Sequence, residues 1–166
     1  MAANAGSYNA GSSMDTDTAD RELVVTRIFA APRQLVFEAW TDRDRLERWW
    51  GPKNFTNPVC EIDPRPGGAI RIHMRAPDGV VYPMSGIFQE ILAPERLVFT
   101  SAALDADGAP MFEILNTVTF AEHDGKTSLT LRAHVSKTTA AAPRHLAGME
   151  MGWSQSLDRL AAEMSR

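Results

Sequence analysis

The sequence predicts an α+β domain in which a curved antiparallel β-sheet wraps around one long C-terminal helix, with two short helices after the first strand. Three observations carry this. Between residues 59 and 135, short runs of β-branched and aromatic residues are separated by the turn pairs Asp78-Gly79, Pro94-Glu95 and Asp124-Gly125, and strands joined by hairpins make an antiparallel sheet. After Pro143 the apolar spacing changes to three and four, the period of an amphipathic helix. The 166 residues, 44% hydrophobic and 23% charged, provide for one core and not two.

Taken in order, residues 22–30, ELVVTRIFA, read as a strand. Pro32 suits a first helical turn, and in PRQLVFEAW the pairs Leu35/Ala39 and Val36/Trp40 fall four apart, giving a short helix with one apolar side. Thr41 with Asp44 resembles a capping box opening a second short helix over 42–50, which Gly51-Pro52 ends. Strands follow at 59–63, 70–75, 80–91, 96–102, 111–122 and 127–135. Alternation puts Ile70, Ile72 and Met74 on one face, and Leu129, Leu131, Ala133 and Val135 on one face of the last strand. In the final segment Leu146, Met149, Trp153, Leu157, Leu160 and Met164 form one stripe on a helix of about twenty residues, roughly 30 Å long.

Residues 1–20 lack apolar periodicity and any early basic or hydrophobic run. They read as a disordered tail rather than a signal or transit peptide, which leaves 21–166 as a single domain. Seventeen basic against 21 acidic residues provide no electrostatic footprint for nucleic acid or an anionic membrane. The lone Cys60 excludes an internal disulfide and a multi-cysteine zinc site, and fits a cytoplasmic protein.

Several stretches, in order, resemble one family. They are APRQLVFEAWTD (31–42), RWWGP (48–52), DPRPGGAIRIHMR (63–75) with GIFQEILAPERLVFTS (86–101), and GMEMGWSQSLDRLAAEM (148–164). They are similar to the START-like (SRPBCC) superfamily, in its branch named after the activator of the heat shock protein 90 ATPase. The resemblance implies a helix-grip fold with a deep, largely apolar cavity between sheet and last helix, a place used across the superfamily for hydrophobic ligands. It also implies a tie to stress response through a chaperone partner, although eukaryotic members carry a separate chaperone-binding domain for which this chain has no room.

Polar chemistry finds little support in the residues. His73, His123, His134 and His145 form no HExxH pair, Asp105 and Asp107 flank a loop tip, and Gly67-Gly68 precedes a strand rather than a phosphate-binding helix. Neither a metal nor a cofactor is expected. What remains is apolar: four tryptophans, two of them adjacent, and eight methionines, side chains suited to an adaptable wall. Because Trp49 and Trp50 would point about 100° apart on a helix, one is expected to plug the core and the other to line a pocket mouth. An empty dry cavity of about 300 Å³ would cost roughly 7 kcal/mol at ~24 cal/mol per Å³, so it should be hydrated, collapsed or filled.

The leading expectation is thus a binding module for a hydrophobic small molecule. Its contacts would come from Trp50, Ile70, Ile72, Met74, Met84, Phe88, Phe120, Leu131, Met149 and Trp153, supplying dispersion and shape. A polyketide cyclase- or hydrolase-like enzyme is the alternative, with Arg71, His73, Glu113, Asn116 and His134 as its available polar groups. A partner that stimulates a heat shock protein 90 ATPase is the third reading. Homodimerisation is open, and neither nucleic acid nor a membrane is expected as a partner.

Overall fold

The computed structural model describes residues 22–138 and 148–165; the tail over 1–20 and the expected helical residues 144–147, Leu146 and His145 among them, lie outside these. The elements run β1 (Glu22–Phe29), α1 (Arg33–Thr41), α2 (Arg43–Trp49), β2 (Thr56–Ile62), β3 (Ala69–Arg75), β4 (Val81–Leu92), β5 (Arg96–Leu104), β6 (Pro110–His123), β7 (Lys126–Thr138) and α3 (Met149–Met164). The seven strands form one antiparallel sheet in the order β1-β7-β6-β5-β4-β3-β2. Strands β2 to β7 are a meander, and β1 joins it beside β7 after the chain has crossed through α1 and α2. The α+β class and the sheet-around-helix arrangement stand as predicted.

Alternation decides which residues face the helices. On β6, Ile114, Asn116, Val118 and Phe120 are buried, and on β7, Leu129, Leu131, Ala133 and Val135 are buried. Charged residues such as Arg71, paired with Glu61, occupy the other face. Register shifts at Thr56/Val59, Phe88/Glu90, Ala103/Leu104 and Glu113/Ile114 add coiling, so the sheet curves around its contents. Gly86 marks the tightest approach of two strands. A Cβ there would fall 1.9 Å from the Thr100 carbonyl oxygen, which forces β4 and β5 apart. Gly86→Ala should therefore cost about 1–3 kcal/mol, read as a lowered midpoint in chemical denaturation.

Local chemistry accounts for where elements start and stop, and it corrects several expectations. The cap of α2 is Asp42, not Thr41: its carboxylate accepts from the Asp44 and Arg45 amides at 3.0 and 3.4 Å, while Thr41 ends α1. Leu35 is 41% exposed, so the inward face of α1 is Val36, Phe37 and Trp40 with Ala39. β2 begins three residues before the predicted 59 and includes Pro58, since β2 is an edge strand, where a missing donor is tolerated. Pro83 is tolerated in β4 for a related reason, since pairing with β5 starts at Met84. Among the described residues α3 spans 16, about 24 Å at 1.5 Å per residue, shorter than the twenty expected.

The turns behave as their residues dictate. Asp124 (φ 52°) and Gly125 (φ 77°) both adopt left-handed backbone, the pair of conformations a two-residue hairpin with matching twist requires. Asp105 folds its own loop by accepting from the Asp107 and Ala109 amides at 2.8 and 2.9 Å, so this carboxylate serves the β5–β6 turn.

All four tryptophans gather in one cluster. Trp40 stacks on Trp153 with centroids 5.9 Å apart and meets Trp49 edge-on at 4.7 Å; Trp50 meets Trp153 at 5.4 Å. Trp49 is fully buried in the core, whereas Trp50, 8% exposed, also borders a cavity beside α3. Trp50 lies one residue beyond α2, in extended backbone (φ −62°, ψ 135°), which turns its ring independently of Trp49.

Candidate functional site

The site is built where α3 crosses the concave face of the sheet. From Ser154 onward, α3 is tied down by polar side chains. Arg27 on β1 donates to Asp158 at 2.6 Å and to the Ser154 hydroxyl at 2.7 Å, and Arg48 on α2 donates twice to Glu163, at 2.9 and 2.6 Å. Arg159 does more. Its guanidinium donates to the carbonyls of Trp50, Gly51 and Pro52 at 2.9, 3.0 and 3.0 Å and to that of Arg48 at 3.0 Å. The Arg48 and Trp50 carbonyls are among those that the end of α2 leaves without helical partners, and burial lowers the Arg159 pKa from its ordinary value. One turn earlier, Met149 and Trp153 meet the sheet through apolar surface.

Between that first half of α3 and the sheet lies a cavity of about 210 Å³, open on one side. Trp50, Gly51 and Pro52 form one wall, held by Arg159; Met149, Gly152, Trp153 and Ser156 of α3 form the roof. The floor comes from Met74 on β3, Met84 on β4, Ser101 and Ala103 on β5, and Phe112 and Ile114 on β6. Tyr82, 39% exposed, and Pro83 stand at the rim. No charged side chain is among the described residues lining it.

Besides Tyr82 at the rim, two serines belong to the lining of this apolar space. Ser156 donates its proton to the Gly152 carbonyl at 2.9 Å, leaving lone pairs to accept. Ser101 is set differently: its oxygen accepts from Asn116 Nδ2 at 2.9 Å, and the same nitrogen donates to the Phe99 carbonyl at 3.3 Å. A carbonyl only accepts, so the amide nitrogen must face Phe99. Asn116 Oδ1 is then left buried without a protein partner, as is Trp40 Nε1. Each such atom costs about 1–3 kcal/mol.

Of the ten residues expected to hold a ligand, Trp50, Met74, Met84, Met149 and Trp153 are brought together around this cavity. The other five are placed elsewhere. Ile70, Ile72 and Phe88 border a space of only about 10 Å³ beneath Trp40, and Phe120 and Leu131 are packed into the main core. Inward alternation was right for all of them, but the cavity occupies only the end of the sheet near the start of α3. Among the five polar candidates, Arg71, His73, Glu113 and His134 alternate onto the outer face, where Arg71 pairs with Glu61 and Glu113 accepts from Ser136. Asn116 faces inward and is fully buried.

Sequence reasoning missed Ser101, Ala103, Gly152 and Ser156. The signal existed for Ser101 and Ala103, which continue the inward alternation of Leu97 and Phe99, but small residues carry no hydrophobic weight. Ile114 and Phe112 were missed although their strand was correct.

Cys60 belongs to the packed interior. Burial pushes its thiol pKa up from 9.0 to about 11, which lowers the thiolate fraction near neutral pH about a hundredfold. Alkylation by iodoacetamide at pH 8 should therefore be slower by about that factor in the folded protein than in denaturant. A raised thiol pKa also means that stability falls as pH climbs through the unfolded thiol's range of about 8.5.

A curved seven-stranded sheet gripping its C-terminal helix over an apolar cavity defines a helix-grip domain of the START-like class. The same shape recurs in solved structures. A protein from Mycobacterium smegmatis is 30% identical with a TM-score of 0.73, covering 89% of this chain and 91% of that one. One from Nitrosomonas europaea is 27% identical (TM-score 0.74, 87% and 94% covered) and one from Arthrobacter aurescens 26% identical (TM-score 0.77, 91% and 88% covered). The chain belongs to the family described as Activator of Hsp90 ATPase homolog 1-like protein, whose model matches residues 30–165. None of the curated proteins compared matches it. Among the described residues no helix is long and apolar enough to cross a membrane, and no group of three or more His, Cys, Asp or Glu residues is placed to hold a metal ion.

Proposed function

We propose that this protein is a binding module that holds a small hydrophobic molecule between its sheet and α3, in the cytoplasm. The observation that carries this reading is the cavity of about 210 Å³ with walls of tryptophan, methionine, phenylalanine and isoleucine and no charge among the described lining residues. A space of ~150 Å³ lined by aliphatic and aromatic groups already admits benzene, so this one suits a molecule of one or two rings. Binding is by dispersion and exclusion of water, with three lining methionines able to adjust to shape. Native mass spectrometry of the purified protein, before and after solvent extraction, is the test. A co-purifying apolar molecule, or saturable uptake of tetralin by the extracted protein, is expected; failure to bind any apolar probe overturns the reading.

The family description favours a second reading, a partner that stimulates a heat shock protein 90 ATPase. It is tested by adding the protein to the chaperone of its own host, where an unchanged ATPase rate ends it.

A further inference from the structure

We propose that the cavity selects an uncharged molecule carrying one acceptor oxygen, such as a ketone, which the Ser101 hydroxyl hydrogen-bonds while Asn116 positions Ser101. This rests on the cavity being a ligand site and adds the polar half of its recognition. Three features carry it. Among the described residues the lining contains no charged side chain to neutralise an ion, and an unpaired charge is costly away from water. Ser101 lines the cavity, and its oxygen already accepts from Asn116 at 2.9 Å. A hydroxyl has one proton and two lone pairs, so with one lone pair held by Asn116 it keeps its proton, and one further lone pair, to offer the cavity.

The third feature is the cost of the arrangement. Asn116 is fully buried on the concave face, and its Oδ1 lacks a protein partner. A core residue selected for packing alone would be apolar here, as Ile114 and Val118 are on either side of it along the same face. The buried amide instead fixes one hydroxyl at the cavity floor. Ser156 cannot serve as the donor, because its own proton goes to the Gly152 carbonyl at 2.9 Å. Ser101 is thus the directional contact in an otherwise dispersive site, and Asn116 is a positioning residue.

The experiment titrates the full chain with 1-tetralone, with tetralin (its oxygen-free parent) and with 2-naphthoate, followed by tryptophan fluorescence, since Trp50 and Trp153 line the cavity. Ser101→Ala should weaken 1-tetralone by about three- to tenfold, the worth of one hydrogen bond, and leave tetralin unchanged. Ser101→Ala keeps the bond from Asn116 to the Phe99 carbonyl and is expected to fold. Asn116→Leu should likewise lower the 1-tetralone to tetralin preference, a ratio that general loosening of the core would not move. 2-Naphthoate should bind the wild type much more weakly than 1-tetralone. Equal loss of both neutral probes in Ser101→Ala, no loss of either, or naphthoate binding as tight as 1-tetralone overturns the proposal while leaving the ligand site standing. Binding of neither neutral probe to the wild type instead overturns the ligand site, and this proposal with it.

Discussion

Replacing Ala103 with phenylalanine is expected to weaken tetralin binding at least about thirtyfold, or about 2 kcal/mol, without lowering the melting temperature. Ala103 lies on β5, paired with Met84 on one side and Phe112 on the other, and all three line the cavity. A larger ring at this point occupies the space a ligand would take. Overpacking a filled core costs about 1–3 kcal/mol, whereas filling a void recovers dispersion contacts at ~24 cal/mol per Å³. The two cases differ in sign, so thermal denaturation beside the tetralin titration separates them. A marked fall in melting temperature would mean that the space at Ala103 is not available for occupation.

Arg159→Ala is expected to give the largest loss of stability, about 2–4 kcal/mol, measured by urea denaturation. The side chain makes four hydrogen bonds at 2.9–3.0 Å to carbonyls of residues 48 to 52. Bonds from a charged donor are each worth ~1.5–3 kcal/mol, but they share one partly exposed head group and are not additive. The loss should reach the site as well. Trp50, Gly51 and Pro52 are a wall of the cavity, and without Arg159 only the remaining contacts of that segment, such as Asn57 Nδ2 to the Trp50 carbonyl at 2.8 Å, fix it. Tetralin affinity should therefore fall together with stability. Arg159→Lys should be intermediate, because an ammonium is a compact charge that cannot span four carbonyls as a planar fork does.

Much of the fold was legible because hydrophobic period and turn residues point the same way along this chain. Asp78-Gly79 and Asp124-Gly125 each close a hairpin, and the 2-residue alternation of Ile70, Ile72 and Met74 gave the concave face correctly. Errors arose where two local signals competed. Thr41 and Asp42 are both acceptable caps, and only the hydrogen bonds chose Asp42. The start of β2 was placed three residues late because nothing local shows that β2 will be an edge strand, where Pro58 is tolerated. The candidate site was half legible. Its tryptophans and methionines stand out in composition, but a cavity is defined by where side chains stop. Ala103, Gly152 and Ser101 make the space by being small, and Arg159, whose role is to hold a wall in place, has no motif.

If the first half of α3 and the sheet form a site for an apolar ligand, methionine methyl resonances report its occupation. Met74, Met84 and Met149 line the cavity, while Met151 is 67% exposed on α3 and Met164 lies at the far end of that helix. With ¹³C-methyl methionine, titration with tetralin should shift the signals of Met74, Met84 and Met149 saturably and leave those of Met151 and Met164 in place. Signals that stay still up to the solubility limit of tetralin, or that all drift together without saturating, would contradict the account.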